Sequence, residues 1–171
     1  MKKSLILLFS ILLMISGCTK PKKKSIAAYK PVYSEVNHTN ENHDYEKRKS
    51  IKNDFLNNKN AKNSPVKIIA AQLSQTQYSN HKDIKLVFKN SEKKDIQAVK
   101  FEWYCENSFD EPANSRFFYG EGRSTGEITY LLKAGTTRSK IWEDFSTDAN
   151  RVIKARAYYV VFTDGTKWQL K

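Results

Sequence analysis

RVIKARAYYVVFTDGTKWQLK, residues 151–171, decides the fold. Aromatic and β-branched residues crowd both sides of Asp164-Gly165, and such residues suit a pleated, half-buried surface. Asp-Gly between two apolar runs is a two-residue hairpin loop of the type I′ kind, because both central positions need φ > 0. Counting outward from the turn, Phe162 faces Lys167, Val161 faces Trp168 and Tyr159 faces Leu170. Val161, Trp168, Tyr159 and Leu170 then share a face with Ala157, Ala155 and Ile153. The closing element is therefore expected to be a β-hairpin with one face buried.

Upstream of the hairpin, period-two alternation broken by turns continues back to Pro65. Val66 to Ser74 is a first strand. In a second, Ile84, Leu86 and Phe88 face one way while Asp83, Lys85 and Lys89 face the other. The polar turn Asn90 to Asp95 leads to a third strand, Ile96 to Cys105, with Val99, Phe101, Trp103 and Cys105 on one face and Lys100 and Glu102 opposite. An irregular loop, Glu106 to Ser115, contains Pro112. Arg116 to Tyr119 reads as a short edge strand, and Gly120-Glu121-Gly122 follows. Glu127 to Leu132 and Thr136 to Trp142 are further strands, and Glu143 to Asn150 is a polar loop. About seven strands in roughly a hundred residues, with no long helical pattern, give an all-β, immunoglobulin-like β-sandwich over residues 65–171.

Phe88-Lys89-Asn90-Ser91, with Lys94, Ile96, Val99 and Phe101, resembles the strand–turn–strand opening of FxLYD-type and related bacterial immunoglobulin-like domains. The segment Phe162-Thr163-Asp164-Gly165-Thr166-Lys167-Trp168 is similar to the Asp-Gly-Thr-x-Trp close of domains of unknown function in bacterial surface lipoproteins. Trp103-Tyr104 departs from the Tyr-Asp pair of the FxLYD pattern. The resemblance implies a fold and an extracytoplasmic setting, and it brings no catalytic residues.

The other end of the chain carries an address. Lys2 and Lys3 precede an apolar run from Leu5 to Ile15, too short to cross a hydrocarbon core about 30 Å thick. A secretory signal fits this pattern better than a permanent transmembrane helix. Ile15-Ser16-Gly17-Cys18 resembles the lipobox of bacterial prolipoproteins, which implies cleavage between Gly17 and Cys18 and a diacylglyceryl group on the Cys18 sulfur. Residues 1–17 are thus expected to be a signal peptide, and the membrane is reached through lipid on Cys18. Thr19 is not Asp, so the expected place is the bacterial cell envelope, at the outer membrane if the organism has one. Two or three acyl chains hold where one is marginal, at about 0.8 kcal/mol per buried CH₂. Lys20, Lys22, Lys23 and Lys24 either add attraction to an anionic surface or begin a solvated tether.

Residues 18–64 are rich in Asn, Lys and Ser and sparse in apolar side chains, and they read as a lipidated, disordered basic tether. Tyr45 to Leu56, with Ile51 and Phe55 on one side, is the one stretch of it with helical character. The formal charge of +12 is concentrated here. The tether holds eleven Lys/Arg against five Asp/Glu, whereas residues 65–171 hold seventeen against thirteen. A nearly balanced domain with an export address gives no reason to expect nucleic acid as a partner. Its charges alternate with apolar residues, as solvated strand faces do.

Chemistry-bearing patterns are few. With Cys18 acylated, Cys105 stands alone, so it is either a buried small hydrophobe or an intermolecular thiol, and its strand position favours burial. His38 and His43 lie in the tether and His81 in a turn. No Gly-x-Ser-x-Gly elbow, paired Cys or His-Glu-x-x-His occurs. The acid pairs Asp110-Glu111 and Glu143-Asp144 read as solvated loop residues, and Asp144, Asp148 and Asn150 miss the EF-hand spacing for calcium. No catalytic residue, metal or cofactor is assigned. The candidate binding surface is Arg116, Phe117, Phe118 and Tyr119, with Trp142 as a second candidate, because aromatic and Arg groups anchor recognition surfaces. The expected function is a non-enzymatic binding or structural module of the envelope that contacts a protein or glycan. The alternative is an inhibitor or immunity lipoprotein that blocks an envelope-attacking enzyme, with Glu143 or Asp144 plugging a cationic site.

Overall fold

Alternating apolar and polar residues after Pro65 form seven strands in the computed structural model, which describes residues 38–75, 78–117 and 119–171. The expectations for Gly17 and Cys18, for the tether as far as residue 37, and for Phe118 lie outside those residues. The strands are β1 (Val66–Ser74), β2 (Lys82–Asn90), β3 (Ile96–Glu106), β4 (Arg123–Ile128), β5 (Thr137–Ser146), β6 (Arg151–Phe162) and β7 (Lys167–Gln169). They make two antiparallel sheets, ordered β1-β2-β5 and β4-β3-β6-β7. The chain changes sheet after β2, after β4 and after β5, the immunoglobulin-like way of wrapping one core between two sheets. The described residues belong to a single unit.

The core is where the alternation places it. Ile84, Leu86 and Phe88 of β2 meet Val99, Phe101, Trp103 and Cys105 of β3, with Ala157, Val160 and Phe162 of β6 beside them. Asn90, fully buried, locks the β2–β3 turn. Its Nδ2 donates to the carbonyls of Lys94 and Leu132, and its Oδ1 accepts from the Glu92 amide. A buried amide satisfied on both sides is a specific pin, since each missed bond would cost about 1–3 kcal/mol.

Several boundaries differ from the sequence expectation. The β6–β7 loop has three residues, Thr163 to Gly165. The Gly165 amide donates to the Phe162 carbonyl, and Gly165 alone takes a positive φ, of 80°. A type I turn followed by a left-handed glycine replaces the type I′ turn. Asp164 stabilises it by accepting from the Thr166 amide and hydroxyl. The register slips by one residue, pairing Val161 with Lys167 and Val160 with Trp168. A one-residue slip exchanges faces, so Val160 and Phe162 are buried in place of Val161 and Tyr159. An irregularity opposite Lys100 and Phe101 restores the phase, leaving Ala157 inside. Arg116 and Phe117 lie in a turn rather than an edge strand. The fourth strand runs Arg123–Ile128 rather than Glu127 to Leu132, and Leu132 makes only an isolated bridge to Ile96. β5 extends to Ser146, absorbing part of the expected polar loop.

The largest correction concerns residues 38–63. In place of a disordered tether they form α1 (His38–Asn57) and a 3-10 turn (Lys59–Asn63). Phe55 of α1 is buried. Its ring stands 5.7 Å from that of Tyr104 and 4.3 Å from the Arg156 guanidinium carbon. The helix thus lies over the outer face of β3 and β6, where solvent was expected.

Candidate functional site

β3 is buried on both faces. Its inner side presents Phe101, Trp103 and Cys105, and its outer side presents Glu102, Tyr104 and Glu106, each no more than 2% exposed. Two carboxylates can lie there because each is flanked by cations. Glu102 accepts from Arg156 Nε at 2.7 Å and pairs with Arg123 Nη2 at 2.5 Å. Glu106 pairs with Arg151 Nη2 at 2.6 Å and with Lys52 Nζ of α1 at 2.5 Å. Arg151 also holds Asp110 at 2.7 Å. Strand register explains the sharing, since Arg156 lies beside Glu102 and Arg151 beside Glu106. A carboxylate left there without a cation would be strongly destabilising.

The same cations seat the helix. Arg156 Nη2 reaches the Asp54 carboxylate at 2.6 Å, and its Nη1 reaches the Asp54 carbonyl at 3.2 Å. Lys154 donates to the Leu56 carbonyl at 3.2 Å. The last carbonyls of a helix lack partners within it and carry partial negative charge, so cations from β6 both satisfy and cap them. Burial pushes the Asp54 carboxyl up, but Arg156, through its hydrogen bond and charge, outweighs that, with Asn58 helping, and holds it below its ordinary value. Glu106 follows the same balance, with Lys52 and Arg151 overcoming burial. Lys47 pairs with Glu121 at 2.5 Å, further towards the helix N-terminus.

Residues Tyr45 to Ser50 of α1 are exposed, and a groove opens beside them. One hollow, of about 490 Å³, lies between Tyr45, Arg48, Lys49 and Lys52 on the helix and Tyr104, Asp110, Glu111 and Pro112 on the domain. A second, of about 610 Å³, continues past Lys47 and Arg48 to Asn114, Ser115, Tyr119, Gly120, Glu121 and Arg123. Arg48, Glu111 and Pro112 line both. The far wall is the β3–β4 loop. It is held by Ala113 donating to the Cys105 carbonyl, Cys105 donating to Gly122 and Gly122 donating to Ala113. Gly122, at φ 77°, presses so close to Tyr104 that a Cβ would lie 2.6 Å from its ring. Only glycine closes the loop over that ring. Burial raises the Tyr104 hydroxyl above the ordinary phenol range, Glu106 adds to the rise and Arg48 opposes it.

The expected binding residues separate. Phe117 is 80% and Tyr119 92% exposed, Arg116 is exposed, and Tyr119 borders the second hollow. Phe109, on the same loop, is also exposed. Trp142 is not with them. It packs into the core, 5.3 Å from Trp103 and 5.6 Å from Phe101, over the position where Gly126 has no side chain. The helix half of the groove, Tyr45, Arg48, Lys49 and Lys52, was missed because it was assigned to tether. The spacing of Arg48 and Lys52 one turn apart, with Phe55 three residues on, is the signal that would have placed them.

Elsewhere Ser79, Asp144 and Asp148 are tied into structural hydrogen bonds. Ser79 donates to Asp144 at 2.9 Å, and its oxygen lies 3.5 Å from His81 Nδ1. In a nucleophilic triad the hydroxyl proton goes to His and the carboxylate orients the His. Here the carboxylate takes the hydroxyl directly, and the Ser79 oxygen accepts from the His81 amide at 3.1 Å, as in a turn. Asp144 is further fixed by its amide donating to Asp83, so its carboxylate is committed, while Glu143 is exposed. Asp148 accepts from the amide and side chain of Asn114. Burial pushes the Cys105 thiol up to about 12. Among the described residues no group of three or more His, Cys, Asp or Glu is placed to hold a metal ion.

No family model matches this chain, and no curated protein matches it. A crystal structure of a hypothetical protein from Peptoclostridium difficile 630 is similar over 62% of this chain and 86% of its own, at 9% identity and a TM-score of 0.46.

Proposed function

We propose that this chain is a lipid-anchored lipoprotein of the bacterial envelope whose β-sandwich is a non-enzymatic binding or structural module. Recognition is carried by the groove beside α1 and by the aromatic loop that borders it. The observation that carries the binding half is the exposure of Phe109, Phe117 and Tyr119 on the loop that also walls a groove. Of these Tyr119 lines the groove itself, and aromatic side chains left in water beside a concavity are usual anchors of recognition sites. The anchoring half rests on Ile15-Ser16-Gly17-Cys18.

Two measurements test the two halves. Wild type is expected in the membrane fraction and to incorporate radiolabelled palmitate, and Cys18→Ala to lose both. Retention of Cys18→Ala in membranes, or unlabelled wild type, sinks the anchor. For the binding half, intact chain immobilised on beads is exposed to envelope extract alongside the double variant Phe117→Ala, Tyr119→Ala. Envelope glycan or protein captured by wild type and lost from the variant supports the module. One stoichiometric enzyme whose activity is blocked would instead identify an inhibitor.

A further inference from the structure

The charges of the groove are unevenly used. Of the cations that line the two hollows, Lys47, Lys52 and Arg123 each hold a carboxylate of the domain. Arg48 lies at the junction of both hollows and holds no carboxylate among the described residues. A guanidinium carries five donors in a planar fork that matches carboxylate and phosphate. Lys49, which lines the first hollow alone, likewise holds no carboxylate among the described residues and lies 5.9 Å from the centre of the Tyr45 ring. As the planar fork common to both hollows, Arg48 is the position at which an incoming anion gains most.

Its surroundings narrow the anion. Tyr45, Tyr104 and Tyr119 border the hollows, and Tyr45 and Tyr119 are well exposed. Exposed tyrosines offer flat apolar faces with a polar rim, suited to the C–H faces of sugar rings. Glu111, also common to both hollows, has no cation partner among the described residues and can accept hydroxyl protons. A fully apolar ligand would leave Arg48 and Glu111 desolvated, and a bare small anion would leave the rings unused. Two joined hollows of about 490 and 610 Å³ fit successive units of a chain better than one compact molecule.

We propose that this groove binds an anionic glycan, a hydroxyl-rich chain bearing carboxylate or phosphate groups. Arg48 is the anion's anchor, and Tyr45 and Tyr119 are its stacking platforms. The proposal rests on the envelope-module reading and names the ligand class of that module's site.

The test uses full chain extracted from membranes in neutral detergent, titrated by calorimetry with four probes. These are a hexasaccharide of alternating glucuronate and N-acetylglucosamine, maltohexaose, inorganic phosphate, and glycerophosphoglycerol as a soluble lipid headgroup. The acidic hexasaccharide is expected to bind at least about tenfold more tightly than the other three, tenfold being about 1.4 kcal/mol. Arg48→Ala is expected to abolish that preference and Arg48→Lys to keep part of it. Tyr45→Ala and Tyr119→Ala should each weaken binding by about threefold to tenfold, the range of one aromatic contact. Lys59→Ala, exposed and outside both hollows, serves as the control and should change nothing. Amide exchange of β3 in each variant verifies that the domain is folded. Equal affinity for maltohexaose, phosphate or the headgroup overturns the proposal, as does a preference that survives Arg48→Ala or no binding of any probe. If the hexasaccharide fails while envelope capture still depends on Phe117 and Tyr119, the ligand class falls and the module stands.

Discussion

Phe55→Ala should release α1 from the sheet while leaving the β-sandwich folded. Phe55 is 1% exposed, stacked near Tyr104 and under the Arg156 guanidinium. Burying a Phe side chain is worth about 1.5–3 kcal/mol. The ring pair adds about 0.5–1.5 kcal/mol and the cation–π contact about 0.5–2 kcal/mol. A loss of about 3–5 kcal/mol follows, in line with large-to-small changes in cores. The remaining ties are the ion pairs Asp54–Arg156, Lys52–Glu106 and Lys47–Glu121, each with at least one substantially exposed partner, and the hydrogen bonds from Lys154 and Arg156 to the carbonyls of Leu56 and Asp54. Exposed pairs contribute about 0–1 kcal/mol apiece. An isolated helix of 20 residues with four Asn and two Asp and no Ala is not stable in water. Docking energy therefore falls below what holds the helix, and it unwinds as a local event. Hydrogen exchange read by mass spectrometry should show protection of residues 45–57 falling by about a hundredfold or more, with β3 and β6 within about tenfold of wild type. Ellipticity at 222 nm should fall with it. Leu56→Ala, one residue along and 44% exposed, should change little. Unaltered protection of residues 45–57 in Phe55→Ala would refute the account of α1 as a helix hung on one ring.

The seating of α1 should also be acid-labile. Asp54 and Glu106 are held below their ordinary values by cations, so their contribution is full above the ordinary carboxylate range of about 3.9–4.3. It is lost as pH falls through their lowered folded values. Helical signal is expected to fall there before β-sheet signal, and simultaneous loss would contradict the separate docking of α1. Cys105, fully buried with its thiol raised to about 12, should resist thiol reagents in native Cys18→Ala at neutral pH and react promptly in denaturant. One equivalent of rapid native labelling would show an opening to β3 that the fold does not have. Gly126→Ala places a Cβ 2.3 Å from Trp142 Nε1, against a ring already packed on Phe101 and Trp103. A cost of about 1–3 kcal/mol and altered tryptophan fluorescence are expected, and a variant with wild-type melting and emission would count against that packing.

What the amino-acid pattern reveals depends on the range over which a residue is determined. The bounds of β1 and the inner face of β2 are readable because Ile84, Leu86 and Phe88 alternate within a single strand. The closing hairpin is readable as a hairpin, and Gly165 as its left-handed residue. Its loop length is not, because a two-residue and a three-residue loop both accept Asp-Gly. What separates them here is the burial of Val160 and Phe162 against β3, a long-range fact. The exposed Phe117 and Tyr119 can be found from sequence, since consecutive aromatics cannot all be inside. Trp142 cannot be told from them without knowing that Gly126, in the other sheet, leaves room for its ring.

The missed helix and the groove have one cause. A helix that packs by an apolar stripe announces itself through 3.6-residue periodicity and comes to about 8–10 Å from its neighbour, filling the space between. α1 has no such stripe, and among its described residues Phe55 is the single buried apolar anchor. It is seated instead by long charged side chains reaching Glu102, Glu106 and Asp54. Those partners lie across the chain, so within residues 38–57 only the spacing of Arg48, Lys52 and Phe55 hints at the docking. The absence of a stripe also leaves the half of α1 around Tyr45 and Arg48 without apolar contact to the sheet, and there the groove opens. Filling that gap with apolar residues, as in Arg48→Leu with Lys49→Leu, should tighten the helix and close the hollow together. Tighter docking that left glycan binding unchanged would mean that recognition lies elsewhere on the domain.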